Sequence, residues 1–331
     1  MRIAFLIPDE YVPALDYFRP FLTPDGTANW GDTQFTINPQ DGEFDGIVVF
    51  QSVNALSRRY KLVCPSNRTL LAVAEPPDIA WMPSGYIEQF HKVLCQDHRI
   101  SRSRRILSHS GHHWFVEVPF MMAEQNLYPQ KSKLLSAVVS NKTTTRGHRA
   151  RLAFLQALKA RFGDDFDWYG RGVRELGSQK LEGLERYKYH LVLENGSWPH
   201  YWTEKLADAY MANCMPIYWG APNISEYFSP SSMISINVDR IPESIDRIEA
   251  AISRNAYCGA QTALAQARRK LLFDYHPYQA YLRILQRQPA GSRVMITIKP
   301  HSEFRFAFKD KIVGRVWRFQ NRKLLRSQAV I

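Results

Sequence analysis

Short apolar runs that alternate with helix-length amphipathic stretches recur along most of this chain, and the pattern restarts after an interruption near the middle. Such alternation is the signature of βα units built around parallel sheets, and it excludes all-helical and all-β architectures. In the first part the runs Arg2–Ile7, Gly46–Phe50, Thr69–Ala74 and His91–Leu94 read as strands, separated by loops rich in Pro, Gly and Asp. An irregular region, 101–130, carries Gly111-His112-His113-Trp114 and the turn Val118-Pro119-Phe120. After it the pattern predicts strands at Lys133–Ser140, Phe166–Tyr169, His190–Glu194, Pro216–Trp219 and Met233–Asn237. Helices are predicted at Arg149–Phe162, Leu181–Tyr187, Thr203–Asn213 and Glu243–Asn255, and a helical stretch at Ala260–Gln288 is interrupted near His276-Pro277.

A length of 331 residues suits two domains of this kind. The expected organisation is α/β, with two Rossmann-like domains facing a central cleft, the first at 1–128 and the second at 129–288, and a basic aromatic tail at 289–331. In open α/β sheets ligands bind outside the carboxyl ends of the strands. Hydrophobic residues at 45% and charged residues at 22% are those of an ordinary globular protein rather than a disordered one.

The charge is lopsided, with 43 Lys and Arg against 31 Asp and Glu, a net +12 that favours an anionic partner. Ten of those cations, against Glu303 and Asp310, fall in Gly291–Ile331 and give this segment +8 of the total. Its first part alternates apolar and polar residues around Phe304-Arg305-Phe306-Ala307-Phe308 and predicts a short hairpin. Its second mixes Val313, Val316, Trp317, Phe319, Leu324 and Leu325 with basic residues and predicts a basic amphipathic helix. Two readings stand: a solvated helix packed on the second domain, or a contact with an anionic membrane surface. No zinc-finger, helix-turn-helix or RNA-binding signature accompanies the basic tail, so nucleic acid is not expected as a partner.

Cys64, Cys95, Cys214 and Cys258 are spread singly, without the spacing of a zinc ribbon or redox pair, and read as reduced thiols. The opening apolar stretch is short and meets Pro8, unlike an export signal. A cytoplasmic protein is expected, peripheral at the inner face of the membrane if the tail binds there.

The chemistry concentrates in three runs, Tyr187-Lys188-Tyr189-His190-Leu191-Val192-Leu193-Glu194-Asn195, Tyr201-Trp202-Thr203-Glu204-Lys205 and Pro216-Ile217-Tyr218-Trp219-Gly220. They predict a strand ending in polar residues, a loop, and a helix capped by Thr203. The start of that helix offers free backbone N–H groups and a partial positive charge, to which Lys205 adds a full one, so a diphosphate would bind there. Glu204 suits ribose hydroxyls instead. Phosphate and ribose together are a nucleotide signature.

These spaced motifs resemble the donor-binding signature of glycosyltransferase family 10, the α1,3/4-fucosyltransferases of bacterial type. Its pattern runs roughly Tyr-Lys-Phe, Phe-Glu-Asn, Tyr-x-Thr-Glu-Lys and Pro-Ile-x-x-Gly. The resemblance extends upstream through Ser140-Asn141 and the helix bearing Arg151 and downstream to about Asn237, covering the second domain well and the first weakly. It implies a GT-B-like fold and a GDP-sugar donor, with 1–128 as the acceptor-side domain and 129–288 as the donor-binding domain. It further implies that Arg151 and Lys205 hold the diphosphate, that Glu204 binds ribose, and that Tyr201, Asn195 and Glu194 shape the donor site. Leu193 stands where the family commonly has Phe. The stretch before Arg151 is longer than usual, which leaves Arg146 and Arg149 as alternatives for the phosphate Arg. Glu194, closing an apolar strand, also reads as a core residue hydrogen-bonded to backbone.

Inverting glycosyl transfer needs a base for the acceptor hydroxyl and a positive environment for the departing nucleotide. Glu75, at the carboxyl end of an apolar strand and followed by Pro76-Pro77, is the expected base, and the resemblance implies the same. The alternative is a strand-end Glu facing water. Asp165-Phe166-Asp167 spells a DxD, but at the start of a strand, and neither Asp97-His98 nor His112-His113 has metal-ligand spacing; no metal or cofactor is expected. The expected reaction moves L-fucose from GDP-L-fucose, as co-substrate, to a hydroxyl, O3 of GlcNAc, of a glycan acceptor in bacterial surface polysaccharide. Alternatives are another GDP-linked deoxy or amino-deoxy sugar, or a basic membrane- or nucleic-acid-binding protein with an inactive transferase fold. Acceptor contacts are assigned only to loops, Tyr11–Gly31 and Trp81–Phe90, where Trp81 and Tyr86 read either as sugar-stacking or as core aromatics.

Overall fold

The computed structural model describes residues 1–11, 23–52, 55–141, 146–177 and 179–321. The greater part of the expected acceptor loop, 12–22, and the tail residues from Arg322 to the end lie outside these, as does the side chain of Arg146. The chain divides into two compact units, Met1–His112 with a returning segment that begins at Tyr275, and His113–Asp274.

The first unit contains β1 (Arg2–Leu6), β2 (Asn29–Trp30), β3 (Thr33–Ile37), β4 (Gly46–Gln51), β5 (Tyr60–Pro65), β6 (Thr69–Val73), the short helix α1 (Ser84–Ile87), β7 (Lys92–Cys95) and β8 (Arg105–Leu107). Seven of the strands form one sheet in the order β2-β3-β1-β4-β6-β7-β8, parallel except at the β2 edge. β4 and β6 are buried along their whole length, which is why their sequences are continuous apolar runs rather than alternating ones. The four strands that sequence reading missed here, β2, β3, β5 and β8, are partly exposed and carry no such run.

The second unit contains α2 (Phe120–Glu124), β9 (Lys133–Val138), α3 (Arg146–Phe162), β10 (Phe166–Tyr169), β11 (Tyr187–Leu193), α4 (Glu204–Met211), β12 (Met215–Trp219), β13 (Ile234–Ser235), α5 (Ile241–Ser253), α6 (Ala256–Gly259) and α7 (Gln261–Phe273). Its five strands are all parallel, in the order β10-β9-β11-β12-β13. The helix expected at Leu181–Tyr187 is a single 3-10 turn, Lys180–Gly183, and β11 starts at Tyr187 instead of His190. The alternating aromatics Tyr187 and Tyr189 belong to that strand, where both are buried.

The returning segment corrects the sequence reading. It holds α8 (Pro277–Gln286), β14 (Arg293–Ile298) and α9 (Phe308–Gln320). α8 packs on the first sheet through Tyr278, Tyr281 and Leu285, so the stretch expected to close the donor domain divides between the units at the break predicted near His276-Pro277. Among the described residues of the tail no hairpin forms: β14 pairs antiparallel with β5. α9 lies against Trp81 of the first unit rather than on the donor domain, and a Cβ on Gly314 would come within 2.0 Å of the Trp81 ring. Arg99 sits over Trp81 and Trp317 at 5.1 and 4.3 Å, completing the clasp. At the other boundary, residues after His112 join the second unit because Asp208 of α4 accepts the backbone N–H groups of Phe115 and Val116 and the Tyr128 hydroxyl donates to the Met211 carbonyl. The expected boundary at 128 therefore falls inside the second unit. Among the described residues no helix is long and apolar enough to cross a membrane.

Candidate functional site

At the carboxyl end of β11 the chain turns through Glu194-Asn195 and returns to begin α4. Thr203 caps that helix, its hydroxyl oxygen accepting from the Lys205 backbone N–H at 3.4 Å. Glu194 is fully buried and holds the cap in turn: Oε1 accepts the Thr203 N–H at 2.8 Å and Oε2 the Thr203 hydroxyl at 2.7 Å. Burial pushes the Glu194 carboxyl above its usual range, opposed by Lys205 and by the Thr203 hydrogen bonds. Gly220 lies alongside, where a Cβ would meet Glu194 Cγ at 2.6 Å and the Tyr218 hydroxyl at 2.3 Å, so the backbone can pass there only as glycine. Tyr218 is buried, its hydroxyl accepting the Ala221 N–H at 2.8 Å.

Lys205 places its ammonium 3.1 Å from Glu204 Oε1, 3.2 Å from Thr203 Oγ1 and 3.6 Å from Glu194 Oε2. Burial lowers its pKa, but the two carboxylates outweigh burial and raise it overall, so the side chain stays charged. Arg151, on α3, is buried; its Nη1 donates to the carbonyls of Leu193 and Glu194 at 3.2 and 3.3 Å and to Asn195 Oδ1 at 3.2 Å. Among the described residues its Nε has no hydrogen-bond partner. Burial draws the Arg151 pKa down, against the pull of Glu194 and Tyr201.

Arg151, Asn195, Glu204 and Lys205 line one cavity of about 270 Å³ together with Val138, Val139, Ser140, Lys180, His190, Leu191 and Leu193. Four of the six expected donor-site residues thus converge. Glu194 and Tyr201 do not line this cavity; both are buried, Glu194 under the helix cap. Arg149 is exposed on α3 and does not line the cavity, while Arg151 does. Sequence reasoning missed Lys180 and His190. A buried charge among apolar neighbours, Asp208 in Leu206-Ala207-Asp208-Ala209, was the available signal: its Oδ2 accepts from Lys180 Nζ at 2.5 Å. His190 pairs with Ser136 at 2.8 Å, and burial lowers its pKa to about 3, so it is neutral.

In the first unit, Glu75 follows β6 at its carboxyl end, and its Oε1 accepts the Ser52 hydroxyl at 2.7 Å. His112 packs beside this strand end, Nε2 at 2.9 Å from the Ala74 carbonyl. Trp81 lies against Phe306 and Gly314, and Tyr86 is buried with its hydroxyl donating to Gln51, so both loop aromatics are engaged within the unit. Asp97 is tied to Arg99 at 2.7 Å. Asp167 of the DxD lies at the opposite end of its sheet from this cavity and is engaged by Lys133 at 2.7 Å, Arg174 at 3.2 Å and the Tyr187 hydroxyl at 2.6 Å. Among the described residues no three His, Cys, Asp or Glu side chains converge as metal ligands would.

Residues 128–251 match the family model described as glycosyltransferase family 10 (fucosyltransferase), C-terminal. The Helicobacter pylori alpha-(1,3)-fucosyltransferase FucT is 39% identical over 80 residues, which is 24% of this chain and 17% of that protein. The Homo sapiens 3-galactosyl-N-acetylglucosaminide 4-alpha-L-fucosyltransferase FUT3 is 31% identical over 121 residues, 35% of this chain and 32% of that one. The chain therefore spans less than a third of the length of either relative. A solved alpha1,3-fucosyltransferase with GDP-fucose superposes at a TM-score of 0.49 with 19% identity, over 88% of this chain and 92% of that one.

Proposed function

We propose that this protein transfers L-fucose from GDP-L-fucose to a hydroxyl of a glycan acceptor, O3 of GlcNAc in a bacterial surface polysaccharide, with inversion at the anomeric carbon. The observation that carries this reading is the convergence of Arg151, Lys205, Glu204 and Asn195 on one cavity at the carboxyl end of β11 and the capped start of α4. Arg151, Lys205 and the helix start take the diphosphate, and Glu204 takes the ribose hydroxyls. Glu194 and Tyr201 act from behind, Glu194 by fixing Thr203 and hence the N–H groups of the first turn. The acceptor oxygen attacks the anomeric carbon and gives its proton to Glu75 as the bond to the β-phosphate breaks. The electron pair leaves on GDP, where the two cations neutralise it. One oxygen of Glu75 is held by Ser52, and the other accepts no hydrogen bond among the described residues, which suits a base.

Calorimetric titration of GDP, GDP-L-fucose, GDP-mannose and UDP-sugars, with and without EDTA, tests the donor assignment. The expected result is metal-independent binding of GDP and GDP-L-fucose that Lys205→Ala weakens about tenfold or more, as loss of a charge-assisted hydrogen bond would. Binding of UDP-sugars but of no guanine nucleotide would overturn the donor, and unchanged GDP affinity in Lys205→Ala would overturn the phosphate site.

We also propose that α9 docks on an anionic membrane surface. Phe308 and Phe319, 80% and 75% exposed, share one face with Ile312 and Val316, flanked by the exposed cations Lys311 and Arg315. The full chain should pellet with anionic vesicles at low salt, and Phe308→Ser/Phe319→Ser should not; a wild type that stays in the supernatant refutes docking.

A further inference from the structure

The donor cavity has a second polar end that the reading above leaves unused. Asp208 is fully buried, with Oδ1 taken by the backbone N–H groups of Phe115 at 2.6 Å and Val116 at 3.1 Å. Its Oδ2 takes one N–H of Lys180, whose ammonium also lies 5.6 Å over the Phe115 ring. Among the described residues Asp208 is the only hydrogen-bond partner of Lys180, so two N–H bonds of the ammonium remain, and the side chain lines the cavity. Asp208 stands one turn of α4 beyond Glu204, on the same face and about 6 Å further along the axis. With diphosphate at Arg151 and Lys205 and ribose at Glu204, the next group along the nucleotide is its base. The base thus reaches Lys180, with the neutral ring of His190 beside it.

We propose that Lys180, oriented by Asp208, reads the nucleotide base and selects guanine over adenine. Guanine presents two acceptors, O6 and N7, on one edge, which match the two uncommitted N–H bonds. Adenine puts an amino group, a donor, where O6 would be, and meets the ammonium with its own hydrogens. Asp208 is a positioning residue: it fixes the ammonium without touching the base. This inference rests on the donor reading, because the order of groups along the cavity comes from it.

The test measures the affinities of GDP, ADP and inorganic pyrophosphate for the full chain. Wild type is expected to prefer GDP to ADP. Lys180→Met should weaken GDP about tenfold or more while ADP and pyrophosphate move less than about twofold, as loss of one specific base contact predicts. Lys180→Arg, which offers paired N–H donors to the same edge, should keep the preference. Lys180→Met/Asp208→Asn removes the buried carboxylate left without its cation, so that a folded protein carries the measurement if the single variant unfolds. An unchanged GDP-to-ADP ratio, or equal loss of GDP, ADP and pyrophosphate, would overturn the inference while Lys205→Ala still reports on the donor site. A wild type that binds no guanine nucleotide would overturn the donor reading and this inference with it.

Discussion

Glu194 and Thr203, nine residues apart, are joined by two hydrogen bonds that use both carboxylate oxygens, one from the Thr203 backbone and one from its hydroxyl. The pair ties the end of β11 to the start of α4, so the strand sets where the helix N–H groups point. Glu194→Gln keeps the shape but turns an amide N–H₂ toward a donor. It is expected to cost about 2–4 kcal/mol in urea unfolding, the usual penalty for a buried donor left without its acceptor in a charged network. An unchanged unfolding midpoint would mean that the carboxylate does not hold the cap.

Glu75→Gln separates the chemistry from binding. If Glu75 takes the acceptor proton, the turnover rate should fall about 10²- to 10⁴-fold while GDP affinity is unchanged. Single-turnover transfer assays beside a GDP titration check this, and retention of near-normal turnover would remove Glu75 from the mechanism.

His190 makes a pH prediction. Burial lowers its pKa from 6.5 to about 3, so the unfolded chain binds a proton that the folded chain refuses. Stability from this group is complete above the unfolded pKa and is lost as pH falls through 6.5 toward about 3. At pH 5 the loss relative to pH 7 is about 2 kcal/mol, since each pKa unit is worth 1.36 kcal/mol. Urea unfolding of wild type and His190→Asn at the two pH values should show a smaller acid loss in the variant; equal losses would contradict the assignment.

Gly314→Ala tests the clasp between α9 and the first unit. The added methyl would lie 2.0 Å from a Trp81 ring atom, so the helix must shift. A cost of about 1–3 kcal/mol is expected, as for overpacked cores, together with faster hydrogen exchange in α9. Protection of α9 equal to wild type would show that it does not depend on Trp81.

Arg268 is buried, and among the described residues no carboxylate pairs with it. It donates to the carbonyls of Ala123 and Tyr210, at 3.2 and 3.1 Å, and to the side chains of Asn213 and Asn126. Arg268→Met leaves those acceptors unpaired at the carboxyl ends of α2 and α4, and should cost about 2–4 kcal/mol in chemical unfolding. A near-neutral variant would show that water replaces the guanidinium.

Much of the fold was legible because fully buried parallel strands must be apolar throughout. β1, β4, β6 and β12 were found within a residue or so for that reason. The cap and first turn of α4 were legible through capping chemistry, since Thr203, Glu204 and Lys205 occupy consecutive positions whose local structure follows from the start of a helix. Half-exposed strands such as β5 and β8 have no comparable signal. The short turn at Lys180–Gly183 read as a full helix because its composition is helical and only tertiary packing stops it.

The sequence by itself determined the class of fold, the local structure around Glu194–Lys205 and the match of residues 128–251 to a family model, because periodicity, caps and spaced motifs are properties of neighbours in the chain. Tertiary structure decided what belongs together across long separations. It returned the segment from Tyr275 to the first unit, pairing β14 with β5 across more than two hundred residues. It also set Lys180 against Asp208 and buried Glu194 beneath the helix it organises. Such contacts depend on shape and burial in three dimensions, and an isolated Lys or Asp in a linear sequence carries no mark of the partner that will neutralise it.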